Sequence, residues 1–368
     1  MRWVVLLLVS IWLTGCGGGS DSTSKESMST PVMPSKENNA TPFEVADRYF
    51  YQQWYLERND AFYQANKIDT NASIHLGTTV TYTGSGVTIA VIDDGVDVRH
   101  PDLDGSIVRT YSAIDGSTDV SHQNSQEYHG TSVTGIIASN DNDLGIKGIA
   151  SKSQIVFLQY KEGMSDSETI ALFEKAKAFG ADIINCSWGT YDVSDAVRDE
   201  IVDLAKNGRD GKGIVIVFAV GNEDQDIGND ESSIPEVISV GATNRDNQRA
   251  WYSNHGSALD VVAPGGYEVG ITTLDDSGTK GAATIDEDYL LSDDENTFIG
   301  TSASAPIVTG VVALMLEKNP NLTRKEIEDI LHHHSDKIGD MEYVNGFNQY
   351  YGYGKVNVQK LLVATPPQ

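Results

Sequence analysis

The chain has 368 residues, 39% of them hydrophobic, and beyond about the first forty residues it is long enough to bury one large α/β core. Its formal net charge of −27 excludes nucleic acid as a partner and fits an acidic surface, bound cations or a cationic substrate. The two cysteines, Cys16 and Cys186, are too few for a disulfide framework.

Arg2 precedes a short apolar run, Val4 to Leu13, which has the length of a signal segment and is short for a membrane span. Leu13-Thr14-Gly15-Cys16 follows, and it resembles the bacterial lipoprotein box, whose cysteine becomes the lipidated first residue. Residues 1–15 are therefore expected to be a signal peptide. Residues 16–42, rich in Gly, Ser, Thr, Lys, Glu and Pro, are expected to be a flexible tether from Cys16. The domain proper then occupies 43–368. Its first stretch, Phe43 to Tyr55, is rich in aromatics and is expected to pack on the domain surface and tie down the N-terminus.

Val87 to Asp97 reads as a buried parallel strand that ends in acids and the turn residue Gly95. Asp93 and Asp94 stand at its carboxyl end, where open α/β sheets carry their chemistry. Neighbouring strand residues point oppositely, so at most one of the two is expected to face a site. His129-Gly130-Thr131 opens a helical stretch. The loop Asn140 to Gly148 is rich in oxygen donors but lacks the spacing and terminal glutamate of an EF-hand.

Strand and helix then alternate. Gln154 to Gln159 is strand-like, and Ser165 to Gly180 is helical with a Ser165/Glu168 capping box. Asp182 to Ser187 is a strand ending in Trp188-Gly189, and Ser194 to Asn207 is a helix. Gly213 to Val220 is a strand ending in Gly221-Asn222, with two more at Glu236–Ala242 and Leu259–Val262. Phe298 to Met315 passes from an extended turn into a small, apolar helix. Ser302 lies at that junction, and Pro306 is expected in the first turn. Thr323 to His333 is a late amphipathic helix with a Thr323/Glu326 capping box. Its terminal run His332-His333-His334 reads as solvated. The succession predicts a doubly wound, mostly parallel sheet with helices on both faces, in a single domain without internal repeats.

Acyl transfer needs a nucleophile, a base, an acid group that orients the base, and donors for an oxyanion. Ser302, His129, Asp93 and Asn222 fill those roles at strand ends or helix starts, in the order Asp, His, Ser. At these motifs the chain resembles a subtilisin-superfamily serine protease of the kexin/furin-like branch. AVIDDGVD carries Asp93, HGTSVTG carries His129, GTSASAP carries Ser302 and FAVGNE carries Asn222. The DDG and SASAP variants, DRYFYQQWYL and CSWG lie on the kexin side. The likeness runs from about Asp47 to Gly354.

The resemblance implies a serine endopeptidase that acts on protein or peptide substrates without a catalytic cofactor. It also implies structural calcium, held by Asp47, Asp102 and Asn142 with backbone oxygens of Asn140, Leu144 and Ile146. Ser187-Trp188-Gly189 would form the substrate wall. Asp192, four residues after the tryptophan, would help receive a basic side chain at P1, the residue before the scissile bond. Glu223, Asp224, Asp226 and Asp230 stand in the loop after Asn222 without individual roles. Asn254 replaces a family glutamate, which weakens a second calcium site near the pocket. Cys186 reads as a packed thiol. Neither a folded propeptide nor a C-terminal β-sandwich domain is expected within the chain, so a separate chaperone or inhibitor is a conceivable partner. The expected location is the bacterial cell envelope, lipid-anchored, with the outer membrane favoured. A broad-specificity subtilisin-like protease and a catalytically silent membrane-anchored binding module are the alternatives.

Overall fold

The computed structural model describes residues 47–77, 80–124 and 127–368, so Cys16, the signal segment and the tether lie outside the described residues. Seven strands form the main sheet: β1 (Thr88–Asp93), β2 (Ile107–Ser112), β3 (Gln154–Gln159), β4 (Ile183–Cys186), β5 (Val215–Ala219), β6 (Ile238–Thr243) and β7 (Val261–Pro264). A two-stranded antiparallel hairpin adds β8 (Thr273–Leu274) and β9 (Tyr289–Leu290). The helices are α1 (Asp60–Asn66), α2 (His129–Ala138), α3 (Asp166–Ala178), α4 (Asp195–Gly211), α5 (Thr301–Lys318), α6 (Arg324–His334) and α7 (Val358–Ala364). The regular part of α4 ends at Asn207, because Gly208 to Asp210 leave helical geometry.

The main sheet has the order β2-β3-β1-β4-β5-β6-β7, and every neighbouring pair is parallel. Parallel strands covered on both faces need apolar residues at every position. In β1, Ile89 and Val91 face one core while Ala90 and Ile92 face the other. The first core is closed by α2, α5 and α7, the second by α3 and α4. The predicted doubly wound sheet is therefore the one observed. After β3 the chain crosses over β1 and continues on its other side, which makes a topological switch point between β1 and β4. A crevice opens outside the carboxyl ends of strands at such a point.

Several local expectations fail for physical reasons. β2 was not expected: as an edge strand, only Ser112 among its six residues is fully buried, so it lacks the apolar run of its neighbours. Among the described N-terminal aromatics, Tyr51 is exposed, but Tyr49, Trp54 and Tyr55 belong to the core rather than the surface. Trp54 and Tyr55 are 0% exposed; Trp54 Nε1 donates to Gly270 O (2.8 Å) and Tyr55 OH to Thr272 O (3.0 Å). His332 turns inward, pairs with Asp260 Oδ1 at 2.8 Å and stacks on Tyr353, while His333 and His334 are exposed as expected.

Candidate active site

β1 delivers Asp93 to the switch point, where its side chain is fully buried. Asp93 Oδ1 lies 2.7 Å from His129 Nδ1 and also accepts the Asp94 N–H (2.9 Å). His129 is the first residue of α2 and is 19% exposed at its side chain. Because Nδ1 is engaged by the carboxylate, Nε2 is the nitrogen left for a substrate or nucleophile. Burial pulls the His129 pKa down, but the charge and hydrogen bond of Asp93, with the field of Asp94, raise it above its ordinary value. Burial pushes the Asp93 carboxyl up, against the opposing pull of His129. Gly130 is required here, since a Cβ at that position would collide with Gly95 O.

Both aspartates serve this corner, contrary to the expectation from strand alternation. β1 ends at Asp93, so Asp94 is free of the pleat. Its Oδ1 accepts the Gly130 N–H (2.9 Å) and meets His122 Nε2 at 3.1 Å. The other nitrogen of His122 lies 2.7 Å from Asp276 Oδ2, and the imidazole is 2% exposed at its side chain. Between two carboxylates the His122 pKa rises to about 10, although burial alone would lower it. Sequence reasoning missed His122 and Asp276. They lie on unrelated loops 154 residues apart, with no motif around either.

α5 begins at Thr301 after Gly300, whose φ of 121° explains the glycine. Ser302 is thus the second helical residue and not the cap. Pro306 sits in the second turn, a correction to its expected place. Lacking an N–H, Pro306 leaves the Ser302 carbonyl without its intrahelical donor. Ser187 Oγ fills that vacancy at 3.0 Å, and the Ser302 hydroxyl donates back to Ser187 O, also at 3.0 Å. The proline thereby ties the start of α5 to the end of β4. The hydroxyl is held on Ser187 rather than on His129.

Asn222 follows β5. Its Oδ1 accepts from Thr301 N (2.9 Å) and Thr301 Oγ1 (3.1 Å). A backbone N–H can only donate, so the atom facing Thr301 must be the oxygen. The amide group Nδ2 is then left as a donor beside the start of α5, where the helix dipole already favours negative charge. The four residues predicted for acyl transfer stand as two pairs, Asp93 with His129 and Asn222 beside Ser302 at the start of α5; Phe298, four residues before Ser302, lies edge-on to the His129 ring at 5.5 Å.

The wall Ser187-Trp188-Gly189 continues β4. Trp188 Nε1 donates to Ile92 O (2.8 Å) and its ring packs edge-on against Phe218. Asp192 is exposed and accepts from Asn229 Nδ2 (2.8 Å). Asp230 and Glu231 are the acids buried beside Gly189 and Thr190. Asp230 Oδ2 accepts Tyr191 N (3.1 Å) and lies so near Gly189 that a Cβ there would collide with it. Glu231 accepts Thr190 N (3.0 Å) and Thr190 Oγ1 (2.7 Å). Burial raises both carboxyls; Glu231 reaches about 7, with the Asp230 charge as the second cause. Glu223 closes the side, bonded to Tyr191 OH, Asn222 N and Asn254 Nδ2. Asn254 thus shapes the loop. Asp224, paired with Arg249, and Asp226 are exposed. Cys186 is buried, as expected of a packed thiol.

A second oxygen-rich site forms where Asp47, Asp102 and the loop Asn140–Gly148 meet. Asn142 N donates to Asp47 Oδ1 (3.1 Å), Ile146 N to Asp102 Oδ2 (3.1 Å) and Leu144 N to Asn142 Oδ1 (3.0 Å). The Asn140 side chain is engaged by Ser106 and Asp104, which leaves only its backbone for a ligand role. Asp102 Oδ1 is buried with no hydrogen-bond partner. Burial, then the charges of Asp141 and Asp102, raise the Asp47 carboxyl to about 6. Two buried carboxylates with an orphaned oxygen and hard oxygen neighbours suit a calcium ion.

Comparison with known proteins bears on this geometry. A family profile described as "Subtilase family" matches residues 84–354. A "Calcium-dependent protease" of Nostoc sp. is 31% identical over 349 residues, covering 87% of this chain and 52% of that protein. The "Subtilisin" of Bacillus pumilus is 34% identical over 285 residues, covering 76% of this chain and 91% of that one. Among solved structures, a protease of Pseudoalteromonas arctica matches with a TM-score of 0.72 at 26% identity, over 88% of this chain and 100% of that one. The chain spans about half the length of the Nostoc relative.

Proposed function

We propose that this chain, which belongs to the subtilase family, is a serine endopeptidase that cleaves after basic residues. The observation that carries the reading is the bonded pair Asp93–His129 packed, through the ring of His129, on Phe298 of the segment that leads into Ser302, with Asn222 held at the start of the same helix. In the reaction, Ser302 Oγ leaves Ser187 O by rotation about χ1 and attacks the scissile carbonyl. His129 Nε2 takes its proton, and Asp93 holds the resulting imidazolium. Asn222 Nδ2 and the Ser302 N–H donate to the oxyanion. His129 then protonates the leaving amine, and water hydrolyses the acyl-enzyme by the same steps reversed.

The basic P1 preference rests on Asp230 and Glu231, with Glu223 beside them. Two buried, mutually repelling carboxyls gain from an arriving guanidinium or ammonium through charge-assisted hydrogen bonds. An apolar side chain would offer them no such compensation. The test is kcat/KM on peptides that differ only at P1. Arginine should exceed leucine, and Asp230→Asn should lower the arginine value about 10–100-fold while changing leucine little. Asp192→Ala, at an exposed position, should have the smaller effect. If leucine or phenylalanine outperforms arginine in the wild type, the broad-specificity alternative stands.

Calcium is proposed at Asp47, Asp102 and Asn142 with the backbone oxygens of Asn140, Leu144 and Ile146. The relative named a calcium-dependent protease supports it, as does the orphaned Asp102 Oδ1. When bound, the ion would neutralise two buried carboxylates and pin the loop. Binding to the folded state alone stabilises by mass action, so chelation should lower Tm by about 5–10 °C and calcium should restore it. Asp102→Asn should abolish the response. Superimposable thermal scans of metal-free and calcium-loaded protein would remove the site.

Anchoring through lipidated Cys16 in a bacterial envelope is proposed from the lipobox resemblance. Among the described residues, no helix is long and apolar enough to cross a membrane. Cys16→Ser should move the protein from the membrane fraction to the soluble fraction. A variant that stays membrane-bound would refute the anchor.

A further inference from the structure

The base of the proposed reaction stands on a second charge network that the acyl-transfer steps do not use. His129 is the first residue of α2, so its position depends on how the first turn of that helix is seated. Two carboxylates seat it. Asp94 Oδ1 receives the Gly130 N–H at 2.9 Å. Asp276 Oδ1 receives the Thr131 hydroxyl at 2.5 Å, and Thr131 Oγ1 in turn accepts the Asp97 N–H at 2.9 Å. Asp94 follows β1 and Asp276 follows β8, so the two come from separate parts of the chain. A single imidazole joins them: His122, at 3.1 Å from Asp94 Oδ1 and 2.7 Å from Asp276 Oδ2. Its ring rests against Gly95, where a Cβ would come within 2.8 Å of it.

We propose that His122 is a positioning residue for the catalytic imidazole: a buried cation that clamps Asp94 and Asp276, and through them the first turn of α2, beneath His129. The inference rests on the peptidase reading for its kinetic consequences, but its geometry does not depend on it. Two largely enclosed carboxylates that share one imidazole would repel each other unless a cation lay between them. The clamp also sets the field at His129. The charged groups facing His129 are Asp93, Asp94 and His122; the first two favour its protonated form and His122 opposes it. Those facing His122 are Asp94 and Asp276. Removing the His122 charge should therefore make His129 easier to protonate. The neutral base then becomes available only at higher pH.

The test is His122→Gln, which keeps a hydrogen-bonding group but removes the cation. Two readouts are needed: the NMR titration midpoint of the His129 imidazole and the acid limb of kcat/KM against pH. Both should move up by about 0.5–1 unit. The kcat on the plateau should fall by about tenfold, with KM changed less. In an Asp94→Asn background the cation has no carboxylate partner on the segment after β1, so adding His122→Gln should cost little further kcat. The proposal is overturned if folded His122→Gln shows an unmoved or lowered His129 midpoint. If that variant fails to fold, Asp94→Asn is compared with the Asp94→Asn/His122→Gln double. A higher midpoint in the double supports the clamp, and equal midpoints overturn it. Should the wild type show no peptidase activity, the NMR titration still decides the clamp, and only the peptidase reading falls.

Discussion

Ser302→Ala is expected to lower kcat by about 10⁶ while the domain stays folded; this is the scale of nucleophile loss in a subtilisin, a relative of this chain. The argument is local. The hydroxyl donates a hydrogen bond to Ser187 O and loses it on substitution. Net stability should change by about 1 kcal/mol or less, the usual worth of one such bond. The tie between α5 and β4 survives, because Ser187 Oγ donates to the Ser302 backbone carbonyl and not to its side chain. The oxyanion donors survive too. Residual turnover on the order of 10³–10⁴ over water should therefore remain. The check pairs a kinetic assay with a thermal scan. Wild-type-like turnover by the alanine variant would remove Ser302 from the mechanism.

Asn222→Ala should lower kcat by about 10²–10³, or about 2.7–4 kcal/mol of transition-state stabilisation, with KM nearly unchanged; this scale also comes from a subtilisin. The donor acts on charge that exists only in the transition state, so substrate binding should hardly notice its loss. The variant has a second effect: it removes the acceptor for Thr301 N and Thr301 Oγ1. Asn222→Asp separates the two. It keeps an oxygen for Thr301 and puts a carboxylate where the donor stood. If the oxyanion role is right, Asn222→Asp should be at least as slow as Asn222→Ala while holding Thr301 better. A kcat near wild type in either variant would take Asn222 out of the oxyanion hole.

The proposed catalytic set was legible in the sequence because each member sits where regular structure stops. A buried strand must end, and β1 ends on Asp93; a helix must begin, and α2 begins on His129 and α5 beside Ser302. Such ends leave a mark in the apolar pattern, and the flanking glycines sharpen it. The acids proposed for the pocket leave no such mark. Asp192, Asp224, Asp226, Asp230 and Glu231 are all acids in polar loops, yet only Asp230 and Glu231 are buried against the wall. Burial there is decided by how the loop after Asn222 folds around Asn254, which bonds Glu223 N and Gln225 N through its Oδ1. That is a tertiary fact. His122 is invisible for the same reason. Its partners are Asp94 and Asp276, which meet only once the segment after β8 crosses to the start of α2. The edge strand β2 escaped because a half-exposed strand looks like a loop in composition.

The central claim is that Ser302, His129 and Asp93 assemble into a working nucleophile. A serine-directed organophosphorus probe tests it without any choice of substrate. Wild-type protein should be labelled at one site, with the adduct mapped to Ser302, and Ser302→Ala should take up none. Folded wild-type protein that resists labelling would contradict the account and leave the silent binding module as the better reading.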